Sequence, residues 1–239
     1  MFSVNHLILL LICASLIIVS TILSVKYKLS SRKAAVIFTV ICVISEITKD
    51  MVRMVPSEFG GYILDPLDIP LHLCSMVVFA MLFIVFTKKE GTREKLISAV
   101  TVIGLVAPIF ALLIPTMGVA FDKVITYQYF AYHSALMWFA LHHIITGQVE
   151  LGTRAYKRNL GYLSVVILLM LYINSALSVY GVNYYFLRKP PVDGIPILNL
   201  NHGWYCYFAV LLLIAYGSVT LIHAPFMIRE KKKTEEKQT

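Results

Sequence analysis

Seven stretches of this chain are built almost wholly of apolar residues, each about as long as a bilayer is thick: roughly 5–25, 33–52, 67–87, 95–116, 124–147, 158–182 and 204–228. A helix needs about 20 such residues to cross the hydrocarbon layer. Only a structure that pairs its backbone groups within itself can cross it. The expectation is an all-α fold, a polytopic membrane bundle of seven transmembrane helices forming one domain over 1–228. Composition agrees: of 239 residues, 59% are hydrophobic and 14% charged, against about a quarter charged in a soluble domain. Pro108 and Pro225 fall inside the fourth and seventh stretches, where a membrane helix tolerates a kink. No internal repeat or soluble domain is visible, and the basic tail 229–239 is expected to be disordered.

The cations set an orientation. Sixteen of the 21 Lys and Arg residues fall after the first, third and fifth stretches or in the tail. The other connections hold only Lys49, Arg53, Lys123, Arg188 and Lys189. The positive-inside rule then puts the N-terminus outside and the C-terminus in the cytoplasm. The formal charge of +8 therefore reads as topology and contact with anionic lipid, not as nucleic-acid binding. The first stretch lacks a basic region before it, and Lys26, Lys28, Arg32 and Lys33 follow it, so it reads as a retained helix rather than a cleaved signal.

Orientation fixes depth. Glu46 falls about 9 Å before the outer end of helix two, Cys74 about 10 Å into helix three and His133 about 13 Å into helix five. Asp68, His72 and Gln128 sit nearer the same surface, as do Asn174, Ser175 and Asn183 at the end of helix six. Polar groups inside a membrane mark function by default, and their clustering predicts one cavity open to the outer side. For Asn174, Ser175 and Gln128, hydrogen bonds that merely join helices account for the pattern equally well. His142, His143 and His223 lie at the opposite ends of their helices and read as headgroup-level anchors. His6 falls at the outer mouth of helix one, and His202 precedes Trp204 in the last outer loop.

Four cysteines, Cys13, Cys42, Cys74 and Cys206, show neither zinc spacing nor a disulfide framework. A catalytic cysteine reacts as the thiolate and needs a base. His72 lies about 200° round the helix from Cys74 and can instead meet Asp68 at i,i+4. His133, at nearly the same depth on another helix, is a permitted base. Glu46, His72 and His133 form a legitimate metal set, but no motif supports it, so no metal and no cofactor is expected. The loop cations Arg188 and Lys189, with Asn183 and Tyr184 just before them, could meet a headgroup phosphate.

These residues carry a resemblance. Asp68-Ile-Pro-Leu-His-Leu-Cys74 resembles the L-P-L-H-L-C signature of the YwaF-like bacterial membrane proteins. Tyr127-Gln-Tyr-Phe-Ala-Tyr-His133 is similar to their Q-[FY]-F-x-x-H stretch. Gly181-Val-Asn-Tyr-Tyr-Phe-Leu-Arg-Lys-Pro190 is similar to their G-T-N-Y-x-[FY]-L-[RK]-x-K-P loop, and Gly203-Trp204-Tyr205 follows suit. The motifs keep the family's order across nearly the whole chain. In the loop Val182 replaces Thr, and Arg188-Lys189-Pro190 is one residue shorter.

The family's eukaryotic relatives, the transmembrane-protein-164 family, are described as acyltransferases of ether phospholipids. The resemblance implies a bacterial cytoplasmic-membrane enzyme that forms a cysteine acyl intermediate, with Cys74 as nucleophile and His133 as base. Glu46, Asp68, His72, Gln128, Asn183, Tyr184, Arg188 and Lys189 would support or bind a membrane lipid, its acyl chain and phospholipid headgroup. A lipid hydrolase is the close variant. The alternative is a small-molecule or proton-coupled transporter or binding protein using the same outer-half cavity, and a third option is a structural or assembly role. The acyl donor, the acceptor and the oligomeric state are not written in the sequence.

Overall fold

The structure, a computed structural model, describes residues 2–58, 60–192 and 195–236. Seven α-helices lie among them: α1 (Val4–Lys26), α2 (Ser31–Arg53), α3 (Leu73–Phe86), α4 (Glu90–Leu113), α5 (Val124–Ile145), α6 (Thr153–Ala176) and α7 (Trp204–Glu235). A two-stranded antiparallel ribbon, β1 (Met54–Pro56) and β2 (Tyr62–Leu64), follows α2 and pairs Val55 with Ile63. The chain divides into two compact units, Met1–Gln148 and Val149–Thr239.

Four helices, α1, α4, α6 and α7, are long and apolar enough to cross a membrane. Leu11, Val165, Leu168, Leu213 and Leu221 on them are exposed, which suits lipid and not water. The chain is an integral membrane protein. α2 and α5 match the others in length, with 23 and 22 residues. α3 does not. The seven full spans expected from hydropathy give way here to a 14-residue helix, about 21 Å long at 1.5 Å per residue. The cause is Asp65-Pro-Leu-Asp-Ile-Pro70. Pro70 lacks an N–H and pushes the residue before it out of the helical region. Asp65 instead accepts the Leu67 N–H at 2.8 Å, closing the short 3-10 turn Pro66–Asp68.

In the first unit α5 packs against α1, α2 and α4, while α3 packs against α2 and α4. Phe38 of α2 is wholly buried and stacks on Phe139, with ring centroids 4.9 Å apart, and on Tyr132 at 6.3 Å. Leu9 and Cys13 of α1 meet Leu112, Tyr129 and Phe130 in a second apolar cluster. Gly104 lets α4 approach α5: a β-carbon there would lie 2.9 Å from the Leu136 carbonyl oxygen and 3.0 Å from the Ala140 β-carbon. Gly104→Ala is therefore expected to cost about 1–3 kcal/mol by forcing the helices apart, read as a lower Tm in detergent. An unchanged Tm would show that α4 and α5 are not so close.

In the second unit α6 and α7 run antiparallel, joined by polar pairs along their length. The Ser164 and Tyr216 hydroxyls are 2.7 Å apart, the Asn159 amide and His223 Nε2 3.2 Å, and the Tyr156 and Thr220 hydroxyls 3.1 Å. Glu230 closes the ladder by accepting the Thr153 N–H at 2.8 Å and its hydroxyl at 2.9 Å. These two donors hold the Glu230 carboxyl below the usual carboxylate range. The tail expected to be disordered from 229 is thus helical to Glu235. It is built of helix-forming residues, with Lys231 3.8 Å from Glu235. Residues 237–239 lie outside those described.

Candidate functional site

Because α3 begins at Leu73, Cys74 is its second residue, not a residue well inside a longer helix. His72 is the N-cap, and its side chain makes no capping bond. The first-turn N–H groups of a helix have no partner within it, and those of Leu73, Cys74 and Ser75 occupy that position here. Asp68 and His72 do not share one helix, since Asp68 closes the 3-10 turn and His72 is the N-cap of α3. The His72 ring nonetheless lies within charge range of Lys49 and Asp68.

The carboxylate of Glu46 is paired with Lys49. Lys49 is 8% exposed and is the hub of this end of the unit. Its ammonium donates to Glu46, to the Asp68 carbonyl oxygen at 3.1 Å and to the Ser75 hydroxyl at 3.3 Å. An ammonium has three N–H bonds, so these partners occupy it, and Lys49 acts by holding α2, the turn and α3 in register. Asp50 stands 3.5 Å from the same nitrogen. Arg53 donates from Nε to Asp68 Oδ1 at 3.2 Å. Gln128 of α5 donates to the Ser45 hydroxyl at 2.6 Å, one residue before Glu46.

Cys74 is half-buried and its thiol is free. Glu46 lies within charge range of it. The Tyr132 hydroxyl donates to the Cys74 carbonyl oxygen at 2.6 Å. His133, the next residue along α5, is 5% exposed. Its Nδ1 lies 2.7 Å from the Tyr129 carbonyl oxygen. A carbonyl can only accept, so Nδ1 carries the hydrogen, and in the neutral ring Nε2 holds the free lone pair. Tyr129 and Tyr132 flank the ring, with centroids 4.3 and 5.4 Å away. Glu46, Asp68, His72, Cys74 and Gln128 therefore lie where α2 ends and α3 and α5 begin, and His133 follows further along α5, next to Tyr132.

Asn183, Tyr184, Arg188 and Lys189 belong to the second unit. The Asn183 side chain accepts the N–H groups of Arg188 and Lys189, at 3.0 and 3.3 Å, and donates to the Lys189 carbonyl at 2.8 Å. Tyr184 is fully buried and clamped by Asn174, whose amide accepts its N–H at 2.8 Å and donates to its carbonyl at 3.0 Å. Tyr185 and Phe186 have φ of 58° and 55°, a left-handed pair unfavourable for bulky side chains. Further bonds hold the pair in place: Tyr207 donates to the Phe186 carbonyl, and Trp204 to that of Leu187 at 2.9 Å. Arg188 and Lys189 are exposed, and Arg188 Nη1 donates to the Val182 carbonyl at 3.0 Å.

Three histidines read as headgroup anchors are instead fully buried. His142 Nδ1 lies 3.0 Å from the Ser24 hydroxyl, and His143 Nε2 3.0 Å from that of Ser31. His223 Nδ1 is 2.8 Å from the Leu151 carbonyl. His6 is buried with Nε2 2.7 Å from the Leu112 carbonyl, and His202 is exposed. No group of three His, Cys, Asp or Glu side chains that could hold a metal ion occurs among the described residues.

The sequence reading missed two connectors, Lys49 and Tyr132. Lys49 was detectable from its i,i+3 spacing to Glu46 on a helix. Tyr132 had no signal beyond its place beside His133.

Against known proteins, no curated protein matches the chain, and no solved structure does. One family model matches it, over residues 1–222, nearly its whole length and including every helix that brings the polar cluster together. A match of that extent, to an apolar chain with these helices, settles the family: the chain belongs to the TMEM164 family.

Proposed function

We propose that this protein is a membrane-embedded acyltransferase that moves a fatty acyl group to or from a phospholipid through a thioester on Cys74, with His133 as the base. The observation that carries the reading is a free thiol on the first turn of α3, whose own carbonyl oxygen is held by the hydroxyl of Tyr132, the residue next to His133 on α5. Membership of the TMEM164 family supports it, since the resemblance to that family implies this chemistry.

The cycle balances without an oxidant or a cofactor. His133 Nε2 takes the Cys74 proton, and the sulfur attacks the ester carbonyl of the donor lipid. A C–S bond forms, and the negative oxygen of the tetrahedral intermediate meets the first-turn N–H groups of α3, which have no partner within the helix. The ester C–O bond then breaks, and the departing alcohol oxygen takes the proton from His133. In the second half an acceptor hydroxyl gives its proton to His133 and attacks the thioester, and the Cys74 sulfur leaves and recovers the proton. Water in place of the acceptor gives hydrolysis.

The test is transfer of a labelled acyl chain from phospholipid to lysophospholipid by the purified protein in detergent or proteoliposomes. Cys74→Ala is expected to abolish it. Transfer that survives in Cys74→Ala contradicts the reading, and a labelled free fatty acid in place of transfer identifies a hydrolase.

A further inference from the structure

Resting on the acyl-enzyme reading above, we propose that Tyr132 is the positioning residue that sets the Cys74 thiol against His133. α3 and α5, which carry the two groups, each pack against α2 and α4. Tyr132 ties α5 to α3 directly, with its hydroxyl on the Cys74 carbonyl oxygen at 2.6 Å.

That carbonyl already has the N–H four residues on, Val78, as its helical partner, so the tyrosine adds a bond specific to the turn bearing the thiol. The other side of the same ring stands edge-on to His133 at 5.4 Å. The ring is itself fixed: it is 6% exposed, stacks on Phe38 at 6.3 Å and has the buried Cys42 thiol beside its hydroxyl.

A single turn of α5 thus holds both partners. The Tyr129 carbonyl aims His133 from one end, and the Tyr132 hydroxyl holds the nucleophile's turn at the other. A displacement of about 1 Å between nucleophile and base costs rate far more than it costs stability. Tyr132 transfers no proton in the cycle and touches the nucleophile only through its backbone, so its effect appears in rate and not in substrate affinity.

The experiment follows acylation of Cys74 by a fluorogenic acyl ester, comparing rate constant and half-saturation per folded molecule in wild type and Tyr132→Phe. Loss of one hydrogen bond corresponds to about tenfold. The expected result is a rate constant lower by about that factor, with unchanged half-saturation. Replacing Tyr132 with 4-aminophenylalanine, whose amino group can donate to the same carbonyl, is expected to restore most of the rate.

A merely structural hydroxyl would lower Tm and the folded fraction but leave the rate constant of the folded molecules alone. Equal rate constants in wild type and Tyr132→Phe overturn the proposal and leave the acyl-enzyme reading standing. A rate that stays low with 4-aminophenylalanine overturns it as well. Absence of any Cys74 acylation in wild type overturns the reading and this role with it. Should the Phe variant not fold, Phe38→Leu keeps the hydroxyl and loosens the seat of the ring; slower acylation is expected, and an unchanged rate overturns the proposal.

Discussion

Lys49→Met is expected to lower the stability of the protein by about 3 kcal/mol, the low end of what removing one partner of a buried ion pair costs. The methionine keeps much of the side-chain volume, so the loss is electrostatic. Glu46, whose side chain is 15% exposed, would be left charged without its partner, and the Asp68 carbonyl and Ser75 hydroxyl would each lose a donor. The low end applies because Glu46 retains some access to its surroundings. Thermal unfolding in detergent measures the effect. Adding Glu46→Gln to Lys49→Met should recover a large part of the loss, because a neutral amide no longer needs the ammonium. If the single variant melts at the wild-type temperature, Lys49 does not hold the three elements together.

His133→Gln is expected to reduce acyl transfer by about 10²–10⁴-fold, the range supplied by a positioned general base. Glutamine preserves a hydrogen-bonding side chain of similar length but cannot take up the thiol proton. The loss should fall on the acylation rate with little change in Tm, since the hydrogen bond of the ring goes to its own helix, at the Tyr129 carbonyl. Rate measurements at saturating lipid separate this from impaired binding. A variant within threefold of wild type would remove His133 from the chemistry.

Much of this was legible in the residues, because lipid imposes a simple rule on length and polarity. The seven apolar stretches appear as seven helices, and Pro108 and Pro225 lie inside α4 and α7 as a membrane helix allows. Counting rise per residue puts Glu46, Cys74 and Gln128 near helix ends, and they lie near the end of α2 and the starts of α3 and α5. What failed was local or long-range. Hydropathy runs straight through Leu67, Ile69 and Leu71, whereas Pro66 and Pro70 stop the helix, moving Cys74 from the interior of α3 to its first turn. α4 ends at Leu113, before Pro115, for the same backbone reason.

Burial of His142, His143 and His223 was not readable, because a helix in lipid shows no polar face to separate its inside from its outside. Their partners, Ser24, Ser31, Asn159 and the Leu151 carbonyl, come from other segments. Lys49, which the sequence places only among the cations of the outer connections, turns inward for a related reason. An ammonium near a helix end can snorkel outward, and only the arrival of Asp68 and Ser75 shows that this one turns in.

The account stands on a covalent bond between an acyl chain and Cys74, and intact-protein mass spectrometry after brief incubation with a phospholipid donor looks for it directly. The expected result is a mass increase equal to one acyl group, located on the peptide containing Cys74, removed by neutral hydroxylamine as a thioester should be, and absent in Cys74→Ala. Transfer activity in protein that never gains this mass, or an adduct that persists in Cys74→Ala, would contradict it.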